Sequence, residues 1–145
     1  MNENCIFCGI IAGVIPAPIV FEDETTIAFL DHRPVFPGHC LLVPRDHLET
    51  MTDLPGSLVS PLFTNAQLLA RAVELALDAH GTFVGINNRV SQSVPHLHVH
   101  IVPRRRKDGL RGFFWPRHKY ESTEQMQLIR ETIKITIKNL QKTGF

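Results

Sequence analysis

From Val94 to Pro103 the chain reads Val-Pro-His-Leu-His-Val-His-Ile-Val-Pro, with an imidazole at every second position. Side chains on a strand alternate between its faces, so His96, His98 and His100 fall on one face, neighbours roughly 6.6 Å apart. Leu97, Val99 and Ile101 fall on the other. A strand that buries aliphatics on one side and aligns imidazoles on the other presents nitrogen chemistry at neutral pH. A lone histidine on a half-exposed strand is usually just solvated. Three in strict alternation, closed by proline at both ends, are a site. Two chemistries fit: three imidazoles can bind one metal ion, or one can be a nucleophile that its neighbours orient.

With 145 residues the chain is long enough for one domain with a real core, and a single domain spanning 1–145 is expected. A hydrophobic content of 43%, a charged content of 20% and a net charge of +1 give no bulk electrostatic bias towards nucleic acid. No apolar stretch reaches the eighteen or so residues of a membrane span, and Met1-Asn2-Glu3-Asn4 has no basic leader region. The expectation is a cytoplasmic protein with no membrane partner. In a reducing compartment the Cys5-x-x-Cys8 pair reads as a metal clamp or redox couple rather than a structural disulfide. Cys40, inside an apolar run, reads as a small core residue.

The pattern predicts one or two helical turns over 5–13, stopped by Gly13, Pro16 and Pro18. Ile19-Val20-Phe21 and Thr26–Leu30 flank an acidic turn and predict a hairpin. The prolines and glycine of 31–38 predict a loop before a strand at His39–Val43, ended by Pro44. A helical period over 62–79, carried by Leu68, Leu69, Ala72, Val73, Leu75 and Ala76, predicts a helix packed on a sheet and ended by Gly81. A strand at Thr82–Asn87 precedes the histidine strand. Near the C-terminus, Ser122 to Gln125 fits a capping box, and Met126, Ile129, Ile133, Ile137 and Leu140 fit a helix over about 122–141. Ile133, Ile135 and Ile137 also alternate as a strand would, but helix is the reading chosen. The sum is an α+β protein with a five-stranded antiparallel sheet.

The run His-Leu-His-Val-His-Ile-Val matches the pattern His-φ-His-φ-His-φ-φ, with φ apolar, and the chain resembles the histidine triad (HIT) family over roughly 5–117. Further matches are Ala28-Phe29-Leu30-Asp31, the Pro-Gly-His-x-Leu-x-x-Pro-x-x-His stretch from Pro37 to His47, Asn87 and Gln92-Ser93-Val94. The resemblance implies the HIT fold, a two-fold dimer whose sheets join into ten strands, and a nucleotide substrate, adenine nucleotides foremost. It implies that His98 attacks the α-phosphorus of a nucleoside phosphate to form a nucleotidyl-histidine, with nearby backbone fixing its tautomer. Neutral imidazole is a competent nucleophile for this step. By the same resemblance His100 contacts the phosphate or bridging oxygen, while Asn87, Gln92 and Ser93 are phosphate-binding positions. The resemblance makes Ser93 the candidate for assisting the leaving group and implies that Asp31 accepts hydrogen bonds from ribose hydroxyls, with Phe7, Ile10, Phe29 and Leu30 as candidates for the walls of the base site. On its own spacing Asp31 could equally cap the following turn.

Cys5, Cys8, His47 and His96 could satisfy tetrahedral zinc, and zinc-bearing branches of the family use these positions. The ion is expected to be structural, since no coordination position is left open. His39 is read as a hydrogen-bonded framework residue, and His32, His80 and His118 as exposed residues without a role. One departure stands out: family members commonly carry Ala-Gly-Gln before the triad, whereas this chain has Val90-Ser91-Gln92. The basic run Arg104-Arg105-Arg106-Lys107 reads as a solvated surface or a seat for an anionic leaving group, and Trp115 as core or dimer packing. The leading expectation is a hydrolase that releases AMP or another nucleoside monophosphate from a dinucleoside polyphosphate, phosphoramidate or anhydride. Alternatives are a nucleotide-binding adaptor with little turnover, and a three-histidine catalytic metal site.

Overall fold

The computed structural model describes residues 2, 4–110 and 119–142. The chain divides into two compact units, Met1–Asp108 and Gly109–Phe145. In the first, α1 (Ile6–Ile11) is followed by β1 (Ile19–Glu22), β2 (Thr26–Leu30), β3 (Cys40–Pro44), a 3-10 turn (Met51–Asp53), α2 (Gly56–Leu77), β4 (Gly81–Gly85) and β5 (Val99–Arg104). The strands form one sheet in the order β1-β2-β3-β5-β4, and every neighbouring pair is antiparallel. The β1–β2 hairpin is tied by Asp23, whose carboxylate accepts the amides of Thr25 (2.8 Å) and Thr26 (2.7 Å) and the side-chain amide of Asn65 (2.6 Å). Burial works against the charge of Asp23, but these donors outweigh it and hold the group down at about 2.

Strand alternation sorts the sheet into two faces. Ala28, Cys40, Leu42, Leu97, Val99 and Ile101 point to one, where Leu62, Ala66, Leu69 and Val73 of α2 close over them. Cys40 is the small core residue expected. Ile27, Phe29, Leu41 and Val43 point to the other, covered by Cys5, Phe7, Cys8 and Ile10 from the N-terminal segment. The histidines share this second face. Among the described residues no helix is long and apolar enough to cross a membrane.

The structure departs from expectation in several places. β5 starts only at Val99, so His96 and His98 precede the ladder. That stretch is held instead by Leu97, whose amide donates to the carbonyl of Leu48 at 2.6 Å. Helix α2 begins six residues before its apolar period does, because Gly56, Ser57 and Pro61 mask its first turns. Its end is set by Asp78, which adopts the left-handed conformation (φ 49°), while Gly81 opens β4. Aspartate visits this region more readily than most residues. Of the six apolar positions that suggested α2, only Leu69 and Val73 are buried; Leu68 and Leu75 are 51% and 75% exposed.

The second unit contains α3 (Thr123–Lys142), which settles the choice between strand and helix for Ile133, Ile135 and Ile137. Ser122 Oγ accepts the Gln125 amide (3.0 Å), and Gln125 Oε1 accepts the amide of Glu121 (2.8 Å), one residue before the expected box partner. Trp115 and His118 lie outside the described residues.

Candidate active site and metal centre

His98 is 3% exposed, and its Nδ1 lies 2.7 Å from the carbonyl oxygen of His96. A carbonyl can only accept, so Nδ1 carries the proton and Nε2 keeps its lone pair. The ring stands edge-on to Phe7, with centroids 5.3 Å apart, and lines a pocket of about 290 Å³. Phe7, Ile10, Phe29 and Leu30 all contribute to the apolar wall of that pocket.

A second tautomer follows from the backbone. The amide of Val35 donates to His39 Nδ1 (3.2 Å), so neutral His39 has its proton on Nε2. His39 Nε2 lies 3.0 Å from His100 Nδ1 and donates to it. His100 is therefore protonated on Nε2, a buried atom with no partner among the described residues, on a ring that lines the same pocket. Leaving a buried donor unmade costs about 1–3 kcal/mol, a cost that a bound acceptor would remove. Burial keeps both rings neutral. It lowers His39, and with the neighbouring imidazoles it brings His100 down to about 4. His39 thus joins the site through hydrogen bonding that its position in the sequence hinted at only as framework.

These shifts predict an acid-sensitive fold. Burial also lowers His96. Below about pH 6.5 the unfolded chain binds protons that the folded chain refuses, so stability falls with pH. For His100 the window runs from about 6.5 down to about 4, with an upper limit of about 3 kcal/mol. Urea midpoints measured across that range should decline steadily; a flat profile would contradict the buried neutral rings.

Asp31 and Ser93 also line the pocket. Asp31 Oδ1 accepts the Arg33 amide at 2.8 Å, making the turn cap that the sequence allowed, while Oδ2 lies 3.6 Å from His39 Nδ1. The Gln92 side chain braces the loop: its amide nitrogen donates to the carbonyl of Glu49 (2.6 Å) and its amide oxygen accepts the amide of Arg89 (2.7 Å). Asn87 is exposed after β4 and is not among the pocket's lining. Its neighbour Asn88, which the sequence did not single out, accepts the Met51 amide at 2.8 Å and braces the loop. Ser91, where the family resemblance leads one to expect glycine, holds φ at 60°, the backbone that glycine favours. Ser91→Gly is accordingly expected to stabilise the fold by about 0.5–1 kcal/mol, read as a rise in urea midpoint.

Beneath the pocket, Cys5, Cys8, His47 and His96 bring four ligand atoms within 4.8 Å of one another. Cys5 Sγ lies 3.5 Å from His96 Nδ1, and Cys8 Sγ lies 3.4 Å from His47 Nδ1 and 3.7 Å from His96 Nδ1. With zinc–sulfur and zinc–nitrogen bonds of about 2.3 and 2.05 Å, a tetrahedral site has S···N edges of about 3.6 Å, so the donor set fits zinc. His96 Nε2 donates to the carbonyl of Pro44 at 2.9 Å, which turns the Nδ1 lone pair towards the thiols. The triad itself does not converge on one point. His96 faces the thiols, and His100 groups with Asp31 and His39, atoms already engaged by the hydrogen bonds above.

The family model described as "HIT domain" matches residues 12–107. The chain is 39% identical to "Protein hit" of Bacillus subtilis over 90% of this chain and 92% of that one. It is 32% identical to the adenosine 5'-monophosphoramidase HNT1 of Saccharomyces cerevisiae over 92% and 83% of the two chains. A crystal structure of a zinc-bound histidine triad family protein from Mycobacterium smegmatis superposes with a TM-score of 0.70 at 34% identity, covering 94% of this chain and 97% of that one. With the paired tautomers of His98 and His100 and this breadth of likeness, the chain belongs to the HIT family.

Proposed function

We propose that the protein is a nucleotide hydrolase in which His98 is transiently nucleotidylated. The reading is carried by one observation: Nδ1–H of His98 is committed to the His96 carbonyl, leaving Nε2 basic inside the pocket. Nε2 attacks the α-phosphorus, an N–P bond forms, and the bond from phosphorus to the leaving oxygen or nitrogen breaks with its electron pair. The Nε2–H of His100 meets the phosphoryl oxygens as charge gathers on them. Ser93 stands by the leaving atom and assists its protonation. Water then attacks phosphorus, the N–P bond breaks, and a nucleoside monophosphate leaves while His98 regains its starting state.

Asp31 Oδ2 takes the ribose hydroxyls, and the base lies against Phe7 and Phe29. The wall that faces the base is aromatic and aliphatic, with His32 lining the pocket next to Leu30 and Asp31. The name of the yeast relative, adenosine 5'-monophosphoramidase, supports AMP as product. Cys5, Cys8, His47 and His96 would hold zinc, which when bound ties the N-terminal segment to the loop before β5. The position of β4 at the end of the strand order, with Val84 43% exposed, and the outward Leu68 and Leu75 of α2 support the two-fold pairing into ten strands.

The test is a panel of adenylated amines, mononucleoside phosphates and dinucleoside polyphosphates, with acid-free quenching and intact-mass analysis. Release of AMP through an adduct on His98 is expected. Nucleotide binding without any turnover across the panel would favour the adaptor reading instead.

A further inference from the structure

A cavity that the proposed reaction leaves unused lies on the other side of the sheet. It measures about 550 Å³ and is walled by Phe36, Pro37, Leu77, Ala79 and Pro103, with Arg105, Arg106, Lys107 and the carboxylate of Asp108 at its rim. Pro103 shares strand parity with Leu97, Val99 and Ile101, and Leu77 ends α2, so the cavity opens on the α2 side. His98 and His100 line the pocket on the α1 side. Arg104 lies four residue steps beyond His100 on β5, about 13 Å along the strand. A nucleotide seated on His98 therefore does not fill this cavity.

The rim is built rather than loose. Arg104 grips Asp108 through two hydrogen bonds (Nε to Oδ2, 2.5 Å; Nη2 to Oδ1, 2.8 Å), and the Arg105 amide adds a third at 3.0 Å. Asp108 is thereby neutralised. Arg105 Nη2 donates to the carbonyl of Leu77 at 2.5 Å, and the Arg106 amide donates to His80 Nδ1 at 3.1 Å, docking the turn on α2 and the start of β4. Lys107 sits at φ 65°, a left-handed backbone that disfavours lysine. The outcome is a rigid turn that presents the Arg106 and Lys107 side chains, which have no acceptor among the described residues, beside an apolar wall. Two unspent cations above a ring-sized hydrophobic surface match an anion that carries an apolar body.

We propose that this cavity is a second binding site, for a phosphorylated, ring-bearing small molecule, with Arg106 and Lys107 holding the phosphate and Phe36, Pro37 and Pro103 packing the ring. The probe is AMP, titrated into the zinc-supplemented full chain by amide NMR and calorimetry, with adenosine, inorganic phosphate and a short oligonucleotide as separate arms. Perturbed amides at 77–80 and 103–108, distinct from those at 29–31 and 93–100, are expected. AMP should bind there at least tenfold more tightly than adenosine or phosphate alone. Arg106→Ala/Lys107→Ala should weaken that set of shifts at least tenfold while leaving the other set and the far-ultraviolet spectrum unchanged.

Perturbation confined to the histidine pocket would overturn the proposal. So would a double variant that binds AMP within twofold of the parent at 103–108. Equal binding of phosphate or oligonucleotide would also overturn it, reducing the rim to a basic patch. Failure of the hydrolase reading would show separately, as absent shifts at 93–100 with those at 103–108 intact.

Discussion

His98→Ala should lower turnover by at least about 10⁴-fold, because the covalent route loses its only nucleophile and water must attack the phosphate ester directly. The size of the effect follows from the geometry. The 2.7 Å bond from Nδ1–H to the His96 carbonyl leaves the lone pair of His98 on Nε2, and no neighbour can substitute. His100 offers a proton, not a lone pair, towards the pocket, and His96 spends both ring nitrogens elsewhere. The substitution should leave nucleotide binding nearly intact, since the ribose and base contacts lie on other residues. Metal content should also be unchanged. Rapid-quench kinetics with mass analysis reads all three. A variant that retains more than a hundredth of parental turnover would remove His98 from the nucleophile's role.

Cys8→Ala should lose bound zinc and about 3–6 kcal/mol of stability, visible as a large drop in melting temperature that added zinc does not rescue. A Cys2His2 set is closed at four ligands, and removing one leaves a buried thiol and two imidazoles facing each other without a cation. The damage should spread beyond the metal. His96 is at once a ligand atom, through Nδ1, and the residue whose carbonyl orients His98. A displaced His96 releases the nucleophile's proton position, so turnover should fall by about 10–100-fold beyond what partial unfolding explains. Parent protein that contains no zinc after purification in its presence would sink the prediction, as would Cys8→Ala with full metal content.

Much of this was readable in the chain because strand periodicity is local. The alternation at 96–101 put the imidazoles and the aliphatics on opposite faces, and Leu97, Val99 and Ile101 are each fully buried on the α2 side. The four metal-type ligands, far apart in the chain, converge because β3 and β5 are neighbours and α1 covers their shared face. What sequence periodicity could not show is which way each side chain spends its hydrogen bonds. Gln92 braces a loop from Arg89 to Glu49, a use fixed by tertiary contact. The outward Leu68 and Leu75 of α2 carry the same helical period as the buried Leu69 and Val73, because an apolar stripe does not say which surface it meets. Asp78 and Ser91 took left-handed backbone that sequence rules reserve for glycine.

The proton arrangement at His39 and His100 rests ultimately on a main-chain group, the N–H of Val35. Unlike a carboxylate, that group neither titrates nor swings, so it sets one direction of polarity through both rings even with the Asp31 carboxylate 3.6 Å from the same Nδ1. Of the twenty amino acids only proline lacks this hydrogen, so position 35 tolerates any side chain chemistry in this respect and forbids a single residue, the one that would let the two imidazoles turn end for end.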